Sequence, residues 1–220
     1  MTIDQAYRFI IFIVNKKQSG RVTPEDFNLI APMAQMEAIM KKVGNPKTYE
    51  NGRPIPTVGY SMTQKTRDDI RPILVRSGTL ASASNEVTYP ADYLHYDVLE
   101  REDGTEIDIV LTSSIGKRRK SLINPPSANF PISAFYDDKI RVYPDLTDIR
   151  LTYIKIPDDP EWAYDVVNNA PVYNAGNSTD FSLPVDCHNE ICMFILQHFG
   201  INLTMTEVTQ YANMKETQGV

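Results

Sequence analysis

The side chains best suited to chemistry gather in one stretch: Cys187, His188, Cys192 and His198, thiolate and imidazole donors of the kind that bind zinc. A metal needs several donors converging on one point, and at helical spacing only His188 and Cys192, four residues apart, share a face. Cys187 falls off that face, so the stretch reads as a core helix, and no metal or cofactor is expected. His95 lies in Tyr93-Leu94-His95-Tyr96, which reads as a strand, and none of the three histidines belongs to a Gly-x-Ser-x-Gly turn or a His-Glu-x-x-His helix. No catalytic residue is nominated, and the chain reads as a non-enzyme. Ser113-Ser114-Ile115-Gly116-Lys117 is like the end of a phosphate loop, but Leu111 stands where the first glycine is required and Arg118 where Ser or Thr would follow the lysine. Asp158, Asp159 and Glu161 lack the alternating spacing and the glycine of a calcium loop and only bracket Pro160.

Two groups are suited to recognition instead. Lys117, Arg118, Arg119 and Lys120 form the densest charge run and are the candidate DNA-facing group, with a solvated loop as the plainer reading. Met33, Met36 and Met40 recur at helical spacing. Methionine adapts to irregular contacts, so the stripe is either a partner surface or ordinary core.

The elements that position these groups are helical at the ends and extended in the middle. Thr2 and Gln5 form a capping box that opens a first helix. Ile3, Ala6, Tyr7, Ile10 and Val14 make one apolar face of it, and Phe9, Phe12 and Ile13 make a second, so burial on more than one side is expected up to Gly20. Thr23-Pro24-Glu25-Asp26 supplies an N-cap, a proline at the first helical position and two acids at the positive end of the dipole. This second helix is expected to run to Gly44, with a kink or break at Pro32. Residues 45–66 are rich in Gly, Pro and Asn and read as a long loop, with a short helical turn around 64–71.

Past Pro72 the period changes to two. Residues 73–75, 86–89, 94–101, 105–112, 132–135, 140–143 and 149–156 read as strands, with tight turns at Asp103-Gly104 and Asp137-Asp138. Residues 158–179 read as a polar connector holding Trp162, the single tryptophan. Helix resumes after Pro184 and closes at Gly200. Thr204 and Glu207 form another capping box before a thinly apolar helix over residues 205–218.

This order predicts an α+β fold: a helical bundle of the N- and C-terminal helices carrying an inserted antiparallel sheet or small sandwich. Its expected divisions are 1–72 with 180–220, the β insertion 73–157, and the connector 158–179.

Composition bounds the function. The 220 residues are 42% apolar and 23% charged, ample for a core, and 28 acids against 22 bases leave a net charge of −6. A protein that coats duplex phosphate needs a basic surface, so that task is disfavoured. The longest apolar run, residues 9–14, is far short of the roughly 20 residues that span a bilayer. No membrane association is expected. The first residues carry no secretion signal, and two cysteines make no disulfide framework, so a reducing compartment is expected.

Several passages together resemble a known family. Tyr89-Pro90-Ala91-Asp92-Tyr93 with residues 94–100, Pro131-Ile132, Asp138-Lys139-Ile140-Arg141-Val142-Tyr143-Pro144 and residues 149–157 look like the β region of head-to-tail adaptor proteins of tailed bacteriophages. Phe181-Ser182-Leu183-Pro184-Val185-Asp186, Glu190-Ile191 and Gly200-Ile201-Asn202-Leu203 look like their C-terminal helices. Residues 15–20 and 23–28, with Ala34-Gln35, are similar to ring proteins of crAss-like podoviruses that infect gut Bacteroidetes.

The resemblance implies a structural virion protein made in the host bacterial cytoplasm: a dodecameric ring below the portal, touching other tail or ring proteins and extending the channel through which DNA passes. On that reading Met33, Met36 and Met40, and Met205, Val208, Tyr211 and Met214 in the last helix, are the expected assembly contacts. Two alternatives stand beside it. One is a helix-turn-helix DNA-binding regulator, disfavoured because Glu25, Asp26 and Glu37 oppose Lys41 and Lys42 on its second helix. The other is a small hydrolase using His95 or His188.

Overall fold

A computed structural model of the chain describes residues 1–16, 21–43, 64–80 and 82–200. The expected stops at Gly20 and Gly44, most of the 45–66 loop and the helix over 205–218 lie outside the described residues.

In chain order the helices are α1 (Ile3–Lys16), α2 (Pro24–Val43), α3 (Gln64–Ile70), α4 (Ile115–Arg119) and α5 (His188–His198). The strands are β1 (Leu74–Arg76), β2 (Glu86–Thr88), β3 (Tyr93–Arg101), β4 (Asp108–Ile109), β5 (Ile132–Phe135), β6 (Lys139–Tyr143), β7 (Ile149–Lys155), β8 (Tyr164–Val167) and β9 (Ala170–Tyr173). The fold is α+β. It divides into two compact units, residues 1–72 with 157–220, and residues 73–156.

In the first unit both helix starts are closed as their sequences dictate. Thr2 N–H donates to Gln5 Oε1 at 3.1 Å and Gln5 N–H to Thr2 Oγ1 at 3.3 Å. Thr23 and Asp26 do the same for α2, Asp26 N–H donating to Thr23 Oγ1 at 3.2 Å and Thr23 N–H to Asp26 Oδ2 at 3.1 Å. Of the kink or break expected at Pro32, no break occurs: α2 is continuous from Pro24 to Val43. Proline removes one backbone bond, and burial of Phe27, Ala31, Ala34, Ala38, Ile39 and Val43 along one side outweighs that loss.

The expectation that α1 is buried on more than one side is also corrected. Ile3, Ala6, Tyr7, Ile10 and Val14 are buried, whereas Phe9 and Phe12 are exposed. Ile13, the third residue of the second apolar face, is half-buried, so among the described residues that face is covered only in part.

Polar ties fix the helices to the chain beyond residue 157. Asn28 Nδ2 donates to the Trp162 carbonyl at 3.1 Å while Trp162 N–H donates to Asn28 Oδ1 at 2.9 Å. Gln35, fully buried, donates to the Asp158 carbonyl at 3.0 Å and accepts from Ser182 N–H at 2.8 Å. Lys42 pairs with Asp69 at 2.9 Å and Lys41 with Glu190 at 2.8 Å, joining α2 to α3 and α5.

The segment expected as a connector, 158–179, holds the β8–β9 hairpin and belongs to the first unit. Asn168 and Asn169 adopt φ of +51° and +60°, the left-handed pair that closes a two-residue hairpin. Trp162 stacks on Tyr164 and Tyr173 at the open end, 5.8 and 5.6 Å between ring centroids.

The second unit has two sheets, β1-β7-β3 and β2-β6-β5-β4. Val87, Leu99, Ile140, Val142, Leu151 and Tyr153 from both sheets share one core. The expected strand over 105–112 shrinks to Asp108–Ile109: the expected antiparallel return along β3 holds at the Glu100–Glu106 bridge, where Ile107 N–H donates to the Leu99 carbonyl, and β4 then pairs parallel with β5. Gly104, at φ +88°, does turn the chain, and Arg101 N–H donates to the Thr105 carbonyl at 2.8 Å. Ile107 is then buried in the shared core, and past it the chain leaves β3 to border β5.

Candidate functional site

The stretch with metal-like spacing does not bring its donors to one point. His188 is buried, with Nδ1 2.7 Å from the Met1 carbonyl and Nε2 2.8 Å from the Leu183 carbonyl, so both ring nitrogens are committed to backbone. Cys187 and Cys192 are buried free thiols, and burial pushes Cys192 up to about 12. His198 lies 3.3 Å from Glu37 at the far end of α5. Among the described residues no three metal-ligating side chains gather. His95 sits on β3 beside Ile154 of β7, its pKa lowered by burial.

The recognition candidates have distinct placements. Lys117, Arg118 and Arg119 form the last turn of α4, expected as a loop, and Lys120 follows it. Lys117, Arg119 and Lys120 are exposed, and the Arg119 guanidinium lies 4.0 Å from the Tyr143 ring centroid. Three residues on, Leu122 and Ile123 are 98% and 97% exposed. Sequence reasoning missed this pair, although Leu-Ile directly after a basic run and before Pro125-Pro126 was visible.

On α2, Met33 is 56% exposed, Met40 is exposed and Met36 is half-buried, so the methionine stripe faces outward. Leu29, at 70%, extends it toward the helix start. Met205, Val208, Tyr211 and Met214 lie outside the described residues.

A cleft of about 930 Å³ in the first unit was not foreseen. Tyr7, Trp162 and Tyr173 line it with Arg8, Arg21 and Pro171. Trp162 is oriented by its Nε1–H, which donates to Asp4 Oδ1 at 3.1 Å, while Asp4 Oδ2 holds Arg8 at 2.9 Å. Burial raises the Tyr7 hydroxyl above its ordinary range. The lining suits a flat apolar group with a guanidinium beside it. These side chains are far apart in sequence, and their shared chemistry exists only after folding.

No helix among the described residues is long and apolar enough to cross a membrane. No protein-family model matches the chain, and no curated protein matches it.

Proposed function

We propose that the protein is a structural ring subunit of the head-tail connector of a tailed bacteriophage, a binding protein that makes and breaks no bonds. Its terminal helices form a bundle that carries the β unit as an insertion. Copies assemble below the portal and extend the channel for DNA. The observation that carries this reading is the amount of large apolar side chain left in solvent: Phe9 and Phe12 on α1, Leu29, Met33 and Met40 on α2, and Leu122 and Ile123 after α4. Isolated apolar residues are ordinary on a surface, but series along helix faces fit a protein completed by neighbours. The adaptor-like passages of the sequence supply the identity of those neighbours.

The test is assembly. The full chain is mixed with a phage portal protein from the same genome and imaged by negative stain, and rings seated on the portal are expected. Failure to join the portal under any assembly condition overturns the reading.

A further inference from the structure

We propose that copies of this chain join head to tail through one contact: the basic, apolar tip at Leu122 and Ile123 of one copy seats on the exposed face of α2 of the next. The inference deepens the ring reading and rests on it for the assembly that the contact builds.

The donor side is presented in order. Asn124 N–H donates to Ser121 Oγ at 3.2 Å, closing a turn around the two aliphatics. Ser127 and Phe130 exchange backbone bonds of 3.3 and 3.1 Å at the loop's far side. Pro125 and Pro126 fix their own φ between these ties. A loop held in this way loses little conformational freedom on docking. At its base stand Lys117, Arg118, Arg119 and Lys120, so the tip is apolar and its surroundings are positive.

The receiving side has the opposite charge and the same apolar character. At 100° per residue, Glu25, Leu29, Met33, Met36, Glu37 and Met40 fall within an arc of about 120° on α2. The apolar stripe thus runs between acidic edges. Lys41 and Lys42, at the end of the same helix, are held by Glu190 and Asp69 and do not neutralise it. Methionine side chains can reshape around an inserted aliphatic pair.

Charge decides the geometry of the pairing. Tip against tip, or stripe against stripe, would set like charges together, which disfavours those two pairings. Tip against stripe satisfies both charge and apolar burial. Made in one direction, the contact is heterologous and leaves a joined pair with one open tip and one open stripe between its two copies, so it propagates until a ring closes.

The test uses two full-length variants, Leu122→Cys and Met33→Cys, mixed and treated with a short bismaleimide. The native thiols, both buried, do not compete. A mixed cross-linked dimer that grows with concentration is expected, with none from either variant alone. None is expected when Leu122→Cys is mixed with Val185→Cys, an exposed site off the stripe. In sedimentation velocity at low salt, Lys117→Glu with Lys120→Glu weakens self-association by about tenfold or more, and Glu25→Lys with Glu37→Lys restores it. No mixed cross-link at any concentration overturns the proposal. So does a concentration-independent link within a chain carrying both cysteines. Rings on the portal that lack the link leave the ring reading standing and remove this contact. A link in a chain that never joins a portal supports the contact and removes the ring reading.

Discussion

Glu86 lies opposite Arg141 across the β2–β6 ladder, 2.8 Å from Lys139 Nζ and 3.1 Å from Arg141 Nε. The Lys139 hydrogen bond, aided by both positive charges against a burial penalty, holds its carboxyl below the ordinary range. A carboxylate lowered in the folded state adds stability above its unfolded pKa, and that stability is lost as pH falls through the folded value. Glu86→Gln is therefore expected to flatten the acid side of the stability curve, read as urea midpoints between about pH 7 and about pH 3. An unchanged pH dependence would show that this cluster does not titrate with folding. At the same scale, burial raises both thiols, so Cys187 and Cys192 are expected to ignore a thiol reagent in the native protein and to react together on denaturation. Labelling of the native chain at the unfolded rate would contradict this. The buried character of His188 and Cys192 was legible from their spacing. The carbonyls that hold His188 were not, because Met1 lies at the other end of the chain.

At the scale of elements, Gln35 shows what holds α2 to the chain after residue 157. Its fully buried amide bridges the Asp158 carbonyl and Ser182 N–H, so Gln35→Ala removes two part-buried hydrogen bonds and leaves a hole where the amide packed, while Ser182 Oγ still donates to the Asp158 carbonyl. The expected cost is about 2–4 kcal/mol, seen as a lower urea midpoint with unchanged slope. A change under about 0.5 kcal/mol would mean that water replaces both bonds. The β8–β9 hairpin depends on positive φ at Asn169, so Asn169→Val is expected to cost roughly 1–2 kcal/mol locally. Lost hydrogen-exchange protection at β8 and β9, with the rest of the unit unaffected, is the signature. Helix starts and the Gly104 turn were readable because capping boxes and positive φ act within four residues. The short β4 was not, since Ile109, its one apolar residue, suits either neighbour and only sheet assembly chose the parallel one.

At the scale of the whole molecule, net charge and its placement govern partners. With −6 overall and one concentrated basic run, duplex DNA binding is expected to be weak, with a salt slope shallower than about −2 on log–log axes. Tight, steeply salt-dependent binding in a fluorescence anisotropy titration would favour the helix-turn-helix reading. If copies join as proposed, the same charges are expected to make their association salt-sensitive, because a basic tip and acidic α2 edges attract through solvent.

The sequence alone determined the α+β class, the helix starts, most strands and the concentration of positive charge at Lys117–Lys120, all consequences of local period, caps and turns. Tertiary structure decided which apolar faces were left uncovered. Phe12 and Ile10 are equally apolar two residues apart, yet one is exposed and the other buried. It also assembled the Tyr7, Trp162 and Tyr173 cleft and turned the expected connector into a hairpin. The reason is physical: hydrophobic burial is proportional to area and blind to direction, so a side chain's type sets the strength of the drive, and only the packing of distant segments sets where it is satisfied.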